Sequence, residues 1–240
     1  MPANNETGPI QNLAPLAEAA REKGALFHTD AVQSTGKIPV DVKAMGADLL
    51  SLTGHKIYGP KGAGALYIKK GVKVAPLFHG GSHEKKRRPG TENVAGAVGL
   101  AKCLEIAGQR REKDFEYHSN LADYFIEAVM SKIDDVHLNG PRQNRVPPTV
   151  NLSFKGVEGE SVVMALDLEG IAVSSGSACT SGATEPSHVL AAMGIPAIMA
   201  LGAVRFSMGR TTTREQLDYV LEKLPPIIKR LRAMSPIYEK

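Results

Sequence analysis

Ala25-Leu-Phe-His-Thr-Asp30 and Ala47-Asp-Leu-Leu-Ser-Leu-Thr-Gly-His-Lys56 decide how this chain folds. Each contains a short apolar run, Ala25 to Thr29 and Ala47 to Thr53, that stops at polar residues: Asp30 in the first, Gly54-His55-Lys56 in the second. Strand, connection and strand within about thirty residues is the pattern of a parallel β-α-β unit, whose ligands collect at the carboxyl ends of the strands. Asp30 and Lys56 both fall at such ends.

Working outward, Leu13 to Lys23 has the spacing of an amphipathic helix, with Pro15 tolerable in its first turn and Gly24 ending it. After the turn-rich Gly59 to Gly64 comes a further strand, Ala65 to Lys69, and then a loop of glycines and bases from His79 to Gly90. Helical spacing returns from Asn93 to Ala107 and from Gln109 to Lys132, with Gly108 as an interruption. The remainder reads as a smaller α+β unit. Its strands are Val150 to Phe154, Ile171 to Val173 and Ala203 to Ser207; its helices are Gly159 to Leu168, closed by Gly170, and Ser187 to Met193, ended by Gly194. Thr212 and Glu215 form a capping box for a last helix that Pro225-Pro226 should break or kink. The expected division is residues 1–107, a large domain, and 108–240, a linking helix with a small domain.

Of the 240 residues, 42% are hydrophobic and 22% charged, which suits a globular chain with a real core. The apolar stretches are too short to cross a bilayer, and Met1 to Gln11 has no basic start followed by an apolar run, so the expectation is a cytoplasmic protein with no membrane partner. Two cysteines, Cys103 and Cys179, speak against a disulfide framework and for a reducing compartment. The net charge of +4 is spread out except at Lys85-Lys86-Arg87-Arg88, and with 5% aromatics and no Trp a nucleic-acid partner is not expected.

Lys56 follows a strand end and is preceded by Ser51, Thr53, Gly54 and His55. A lysine so placed can bond an aldehyde cofactor if its surroundings favour the neutral amine. Asp30 at the adjacent strand end supplies what a pyridoxal ring needs, a carboxylate beside the pyridine nitrogen. Gln33 can donate to the ring's phenolate oxygen, and Ser51, Thr53 and His55 can contact a phosphate. No GxxxxGK[ST] loop occurs, and His79 and His83 lack the paired cysteines of a zinc site.

Six motifs then make a family resemblance specific: Ala3-Asn-Asn5-Glu-Thr-Gly8, His28-Thr-Asp30-Ala-Val-Gln33, Ser51-x-Thr-Gly-His55-Lys56 continuing to Gly62, Arg88-Pro-Gly-Thr91-Glu-Asn93, Ser174-Ser-Gly-Ser-Ala-Cys179-Thr-Ser and Val204-Arg205-Phe-Ser207. In order and spacing they resemble NifS/IscS-type cysteine desulfurases of the class V aminotransferase family. The resemblance implies an α/β, PLP-dependent transferase fold of type I: a partial large domain with a mostly parallel sheet, and a smaller C-terminal α+β domain. It implies pyridoxal 5'-phosphate as cofactor, with Lys56 its anchor, Asp30 beside the pyridine nitrogen, Asn5 and Gln33 near the phenolic oxygen, Ser51 and His55 on the phosphate, and Thr91 reaching the phosphate of the other subunit of a homodimer; Lys56, His55 and Cys179 are the catalytic residues it implies. Arg205 would hold the substrate carboxylate, with Asn5 near it.

The implied reaction turns L-cysteine into L-alanine, with the sulfur carried as a persulfide on Cys179 for a sulfur-acceptor or scaffold protein in iron-sulfur cluster assembly or another sulfur-transfer pathway. A run of Ser, Gly, Ala and Thr around Cys179 gives little packing to hold the thiol still, whereas Cys103 lies in a helical pattern and is expected in the core. The long interval from Cys179 to Arg205 resembles the desulfurases whose loop swings out. Lys56, Asp30 and Arg205 would equally serve a selenocysteine lyase or aminotransferase, and a dimerisation or scaffold-binding module without the cofactor is the non-catalytic alternative. The family's pattern has a long part before Ala3, with a Gly-Thr loop and a ring-stacking histidine. Their absence from this sequence leads to the expectation that the chain begins partway through the enzyme, with weaker phosphate binding and an uncovered sheet edge.

Overall fold

The computed structural model describes residues 1–175, 186–236 and 238. These divide into two compact units, residues 1–3 with 11–112 and residues 4–10 with 113–240.

In the first unit, helix α1 (Ala14–Glu22) carries Pro15 in its first turn and is followed by Gly24 at φ +66°, a left-handed turn that glycine adopts without strain. Strands β1 (His28–Asp30), β2 (Leu49–Thr53) and β3 (Gly64–Ile68) form a sheet in that order. β1 starts later than the apolar run because pairing with β2 begins only at His28, opposite Leu49. β1 and β2 are parallel, as a crossover should make them; β2 and β3 are antiparallel. The β2–β3 connection, residues 54–63, is shorter than the dozen or so residues a parallel crossover needs, so the chain must turn back. The β1–β2 crossover holds two turns and no helix, since Gly36 and Gly46 sit at φ +75° and +66° within it.

Between the glycines and bases of 79–90 lies one tight turn, α2 (His83–Lys86), in which Glu84, Lys85 and Lys86 are left-handed. Helix α3 (Val94–Lys132) then runs 39 residues without interruption. Gly108 does not break it: a Cβ there would meet nothing within 4 Å, so the position is open and the glycine costs only its propensity, about 1 kcal/mol. Leu100, Cys103 and Ala107 of α3 pack with Ile57 and Ala63 as the first unit's core. Cys103 Sγ donates to Leu100 O at 3.1 Å, and the packing around it is so close that a Cβ on Gly59 would come within 2.4 Å of that sulfur.

In the second unit β4 (Val136–Leu138), β5 (Thr149–Phe154), β6 (Ser174–Ser175) and β7 (Ala203–Ser207) form an antiparallel sheet in the order β4-β5-β7-β6. β4 has no counterpart in the sequence reading; three residues are too few to show a period. The strand expected at Ile171 to Val173 lies further on, where Ser174 and Ser175 pair with Arg205 and Val204. Helices α4 (Gly159–Asp167), α5 (His188–Ala192), α6 (Ala197–Ala200) and α7 (Arg214–Met234) complete the unit. The capping box of α7 falls one residue beyond expectation, on Thr213 and Gln216, because Thr212 Oγ1 instead accepts from Gly209 N at 2.8 Å.

Pro225-Pro226 do not end α7. Leu217, Val220, Leu221, Leu224, Ile227 and Ile228 are buried on both sides of the prolines, against Phe125, Ile126, Val150, Leu152 and Val162. At roughly 1.5–3 kcal/mol per buried side chain, the packing of six such side chains exceeds the cost of two interior prolines at roughly 3 kcal/mol each. No helix among the described residues is long and apolar enough to cross a membrane.

Continuity of α3 through Gly108 predicts that Gly108→Ala stabilises the chain by about 1 kcal/mol. Urea unfolding should show a higher midpoint at unchanged slope; a lower midpoint would mean that the helix is broken there.

Candidate functional site

In the first unit the parallel pairing sets Asp30 directly opposite Ser51. Residues in register project to the same side of a sheet, and His28 Nε2, 2.8 Å from Ser51 Oγ, fixes that side. His28, Asp30, Ser51 and Thr53 therefore share one face, while Thr29 and Leu50 are buried on the other. Asp30 Oδ1 accepts from Val32 N at 2.8 Å, which tightens the exit from β1.

A 3₁₀ turn, Gly54–Ile57, follows β2 at once and is closed by Gly54 N donating to Ala63 O at 2.8 Å. Ile57 goes into the core, which leaves its neighbour Lys56 exposed. Among the described residues no group hydrogen-bonds or ion-pairs with the Lys56 amine. His55 is also exposed, with Nδ1 2.8 Å from Thr53 Oγ1. Gln33 lies in the turn after β1 and accepts through Oε1 from Lys37 Nζ at 2.8 Å. Burial, then the like charge of Lys56, push the Lys37 amine down to about 8. Thr91 is exposed in the segment before α3, and among the described residues it makes no hydrogen bond to the strand-end group.

In the second unit, Val150, Leu152 and Phe154 of β5 enter the core, and Asn151 and Ser153 on the opposite face are buried too. Residues 4–10 lie against that face at Asn151 and group with this unit rather than with residues 11–112. Asn151 Nδ2 donates to Glu6 O at 3.2 Å, and Arg205, opposite Asn151 on β7, donates from Nη1 to Asn5 O at 3.0 Å. Arg205 and Asn5 are thus brought together. Asn4 Oδ1 shapes the segment by accepting from Glu6 N and Thr7 N at 2.8 and 2.9 Å.

Glu6 is a residue the sequence reading passed over inside its own motif. It is 5% exposed; Oε2 accepts from Ser187 Oγ at 2.8 Å, while Oε1 is buried without a partner. Ser187 Oγ in turn accepts from Val189 N at 3.1 Å and so caps α5. Burial raises the Glu6 carboxyl above its usual range, against the opposing effects of Ser187, His188 and Arg205. Lys37 was passed over as well; its i+4 spacing from Gln33 in a turn-rich stretch was the available signal. Cys179 lies outside the described residues.

The sequence profile of the class-V aminotransferases matches residues 1–220. The chain belongs to that family. It is similar to a protein of Dictyoglomus turgidum named cysteine desulfurase IscS, 53% identical over 236 residues that cover 98% of this chain and 60% of the relative. A protein of the same name from Methanosarcina thermophila is 50% identical over 238 residues, covering 99% and 59%. Among solved structures, a NifS-like protein superposes with a TM-score of 0.86 at 36% identity, over 96% of this chain and 60% of that one. A NifS-like protein from Rickettsia africae gives 0.85 at 28%, over 95% and 60%. The chain spans about 60% of the length of the curated relatives it matches. Its fold is that of the NifS-like PLP enzymes, a mixed α/β part of fold type I.

For Glu6 the folded chain prefers the protonated acid, so its contribution to stability falls as pH rises above about 4.5, where the unfolded chain ionises first. Glu6→Gln should therefore be more stable than wild type at pH 7, with the difference closing below pH 4.5. A difference that grows on acidification would reverse the assignment.

Proposed function

We propose that this chain carries the cofactor lysine and the sulfur-accepting cysteine of a PLP-dependent cysteine desulfurase. The observation that carries this reading is the strand-end group, with the carboxylate of Asp30 beside Ser51 and, in the turn after β2, an exposed amine, Lys56, that has no hydrogen-bond or ion-pair partner among the described residues. Carboxylate, amine and the donors of Ser51, Thr53 and His55 suit an aldehyde cofactor with a cationic ring nitrogen and a phosphate. Similarity to proteins named cysteine desulfurase supports the choice of reaction within the family.

In this reading Lys56 anchors the aldehyde and moves a proton, and Asp30 keeps the ring nitrogen protonated. Asn5 and Gln33 face the phenolic oxygen, and Ser51, His55 and Thr91 hold phosphate, Thr91 across a homodimer. When bound, PLP withdraws electrons from the substrate and so makes its carbon-sulfur bond breakable. Arg205 takes the carboxylate of L-cysteine through its planar two-pronged guanidinium. The thiolate of Cys179 attacks the substrate sulfur; a sulfur-sulfur bond forms as the carbon-sulfur bond breaks with its electron pair left on the substrate's β-carbon, which takes up a proton, and L-alanine leaves. An acceptor or scaffold protein then takes the persulfide sulfur in iron-sulfur cluster assembly or a related pathway, in the cytoplasm.

With added pyridoxal 5'-phosphate the purified chain should develop a visible absorption band that Lys56→Ala removes. Alanine formation from cysteine should fall at least about a hundredfold in Cys179→Ala, which loses the nucleophile while keeping the band. Alanine formation at the wild-type rate in that variant would sink the persulfide route and leave a lyase of another kind.

A further inference from the structure

The turn that leaves β1 carries a charged residue that none of the family motifs includes. Lys37 Nζ donates to Gln33 Oε1 at 2.8 Å, and both side chains are half-buried. The turn that holds them is tightly closed: Thr35 N and Thr35 Oγ1 both donate to Ala31 O, at 2.9 and 2.8 Å, and Lys37 N and Ile38 N donate to Ser34 O, each at 3.0 Å. It is also pressed against the turn that bears Lys56. A Cβ on Gly36 would come within 2.8 Å of Ala107 Cβ and 3.0 Å of Ile57 Cγ2, so the backbone at 36 abuts the residue next to Lys56.

We propose that Lys37 is a positioning residue that fixes the orientation of the Gln33 amide, so that Gln33 presents its Nε2 hydrogens, and not its carbonyl, to an acceptor on the bound group. The two ends of a primary amide have nearly the same shape, and nothing in the glutamine itself selects between them. An ammonium group has donors and no acceptor, so the amide oxygen must face it and the amide nitrogen must point away. The proposal rests on the reading of Gln33 as the neighbour of the cofactor's phenolic oxygen. That oxygen accepts; a flipped amide would set carbonyl against phenolate and put two sets of N–H donors face to face at Lys37. Lys56 is the charged group that acts on Lys37, and with burial it brings the titration of the amine to about 8. The neutral amine still has hydrogens to donate, but without the strength that charge gives the bond.

The first test needs no cofactor. The side-chain amide of Gln33 gives a pair of proton-nitrogen NMR signals, identified by their loss in Gln33→Met. In the wild-type chain these signals should shift with a midpoint near pH 8. In Lys37→Met they should move to the positions of exposed glutamines, and in Lys37→Arg they should stay near those of the wild type. Signals that do not respond when Lys37 loses its proton anywhere between about pH 7 and 11 in the wild type, or that are unmoved in Lys37→Met, overturn the proposal. Should Lys37→Met not fold, the response of the wild-type signals to Lys37 deprotonation across that range decides. With added pyridoxal 5'-phosphate, Lys37→Met should bind about tenfold more weakly than wild type, as expected for loss of a charge-assisted bond, and Lys37→Arg should recover the affinity. Wild-type affinity in Lys37→Met also overturns the proposal. A wild-type chain that gives no visible band at all counts against the desulfurase reading, while the amide signals still decide whether Lys37 orients Gln33.

Discussion

The in-register parallel pairing of β1 with β2 is the constraint on which the first unit depends. It places Asp30 beside Ser51, and Ala31 N extends the ladder by donating to Ser51 O at 2.9 Å. A slip of one residue would turn every side chain to the opposite face. Asp30 would then enter the side where Thr29 and Leu50 are buried, and an ionised carboxylate with no partner there costs several kcal/mol. The apolar face thus fixes the register, and the register fixes the polar face. Lys56 follows from the same arrangement, because the 3₁₀ turn starts where β2 ends and sends Ile57 inward.

The strand ends were legible because they need only a local pattern: an apolar run and the polar residue that stops it. Asp30 and Lys56 could be named from that pattern alone, and Arg205 from its motif on a correctly bounded strand. Tertiary contacts governed the rest. Gly108 reads as an interruption and Pro225-Pro226 as a break or kink because propensity is a single-residue quantity, yet an open position keeps α3 continuous and six buried side chains carry α7 past its prolines. Thr212 and Glu215 had the spacing of a capping box, but the Thr212 hydroxyl was taken by Gly209, a partner that spacing cannot reveal.

The polar face of the second sheet shows a different limit of sequence reading. Alternation in Thr149 to Phe154 divides apolar from polar residues correctly, and the ordinary inference is that the polar set meets water. Here Asn151 and Ser153 are buried, with Asn139 Nδ2 donating to both at 2.7 Å and Glu6 O accepting from Asn151 Nδ2 at 3.2 Å. A segment close in sequence to the first unit's α1 therefore serves as part of the second unit's interior. Glu6 has its unusual environment for that reason: its neighbours come from positions nearly two hundred residues away in the chain, Ser187 and Arg205 among them.

Cys103 shows what close packing does to a thiol that has no chemistry assigned to it. Its sulfur is boxed in by Leu100 O and by the backbone at Gly59, where not even one added carbon would fit. An alkylating reagent can reach it only when α3 and the turn after β2 separate. The rate at which this one sulfur is alkylated is therefore a clock for the opening of the first unit. It runs in the same molecule, and on the same reagent, as any measurement made on Cys179.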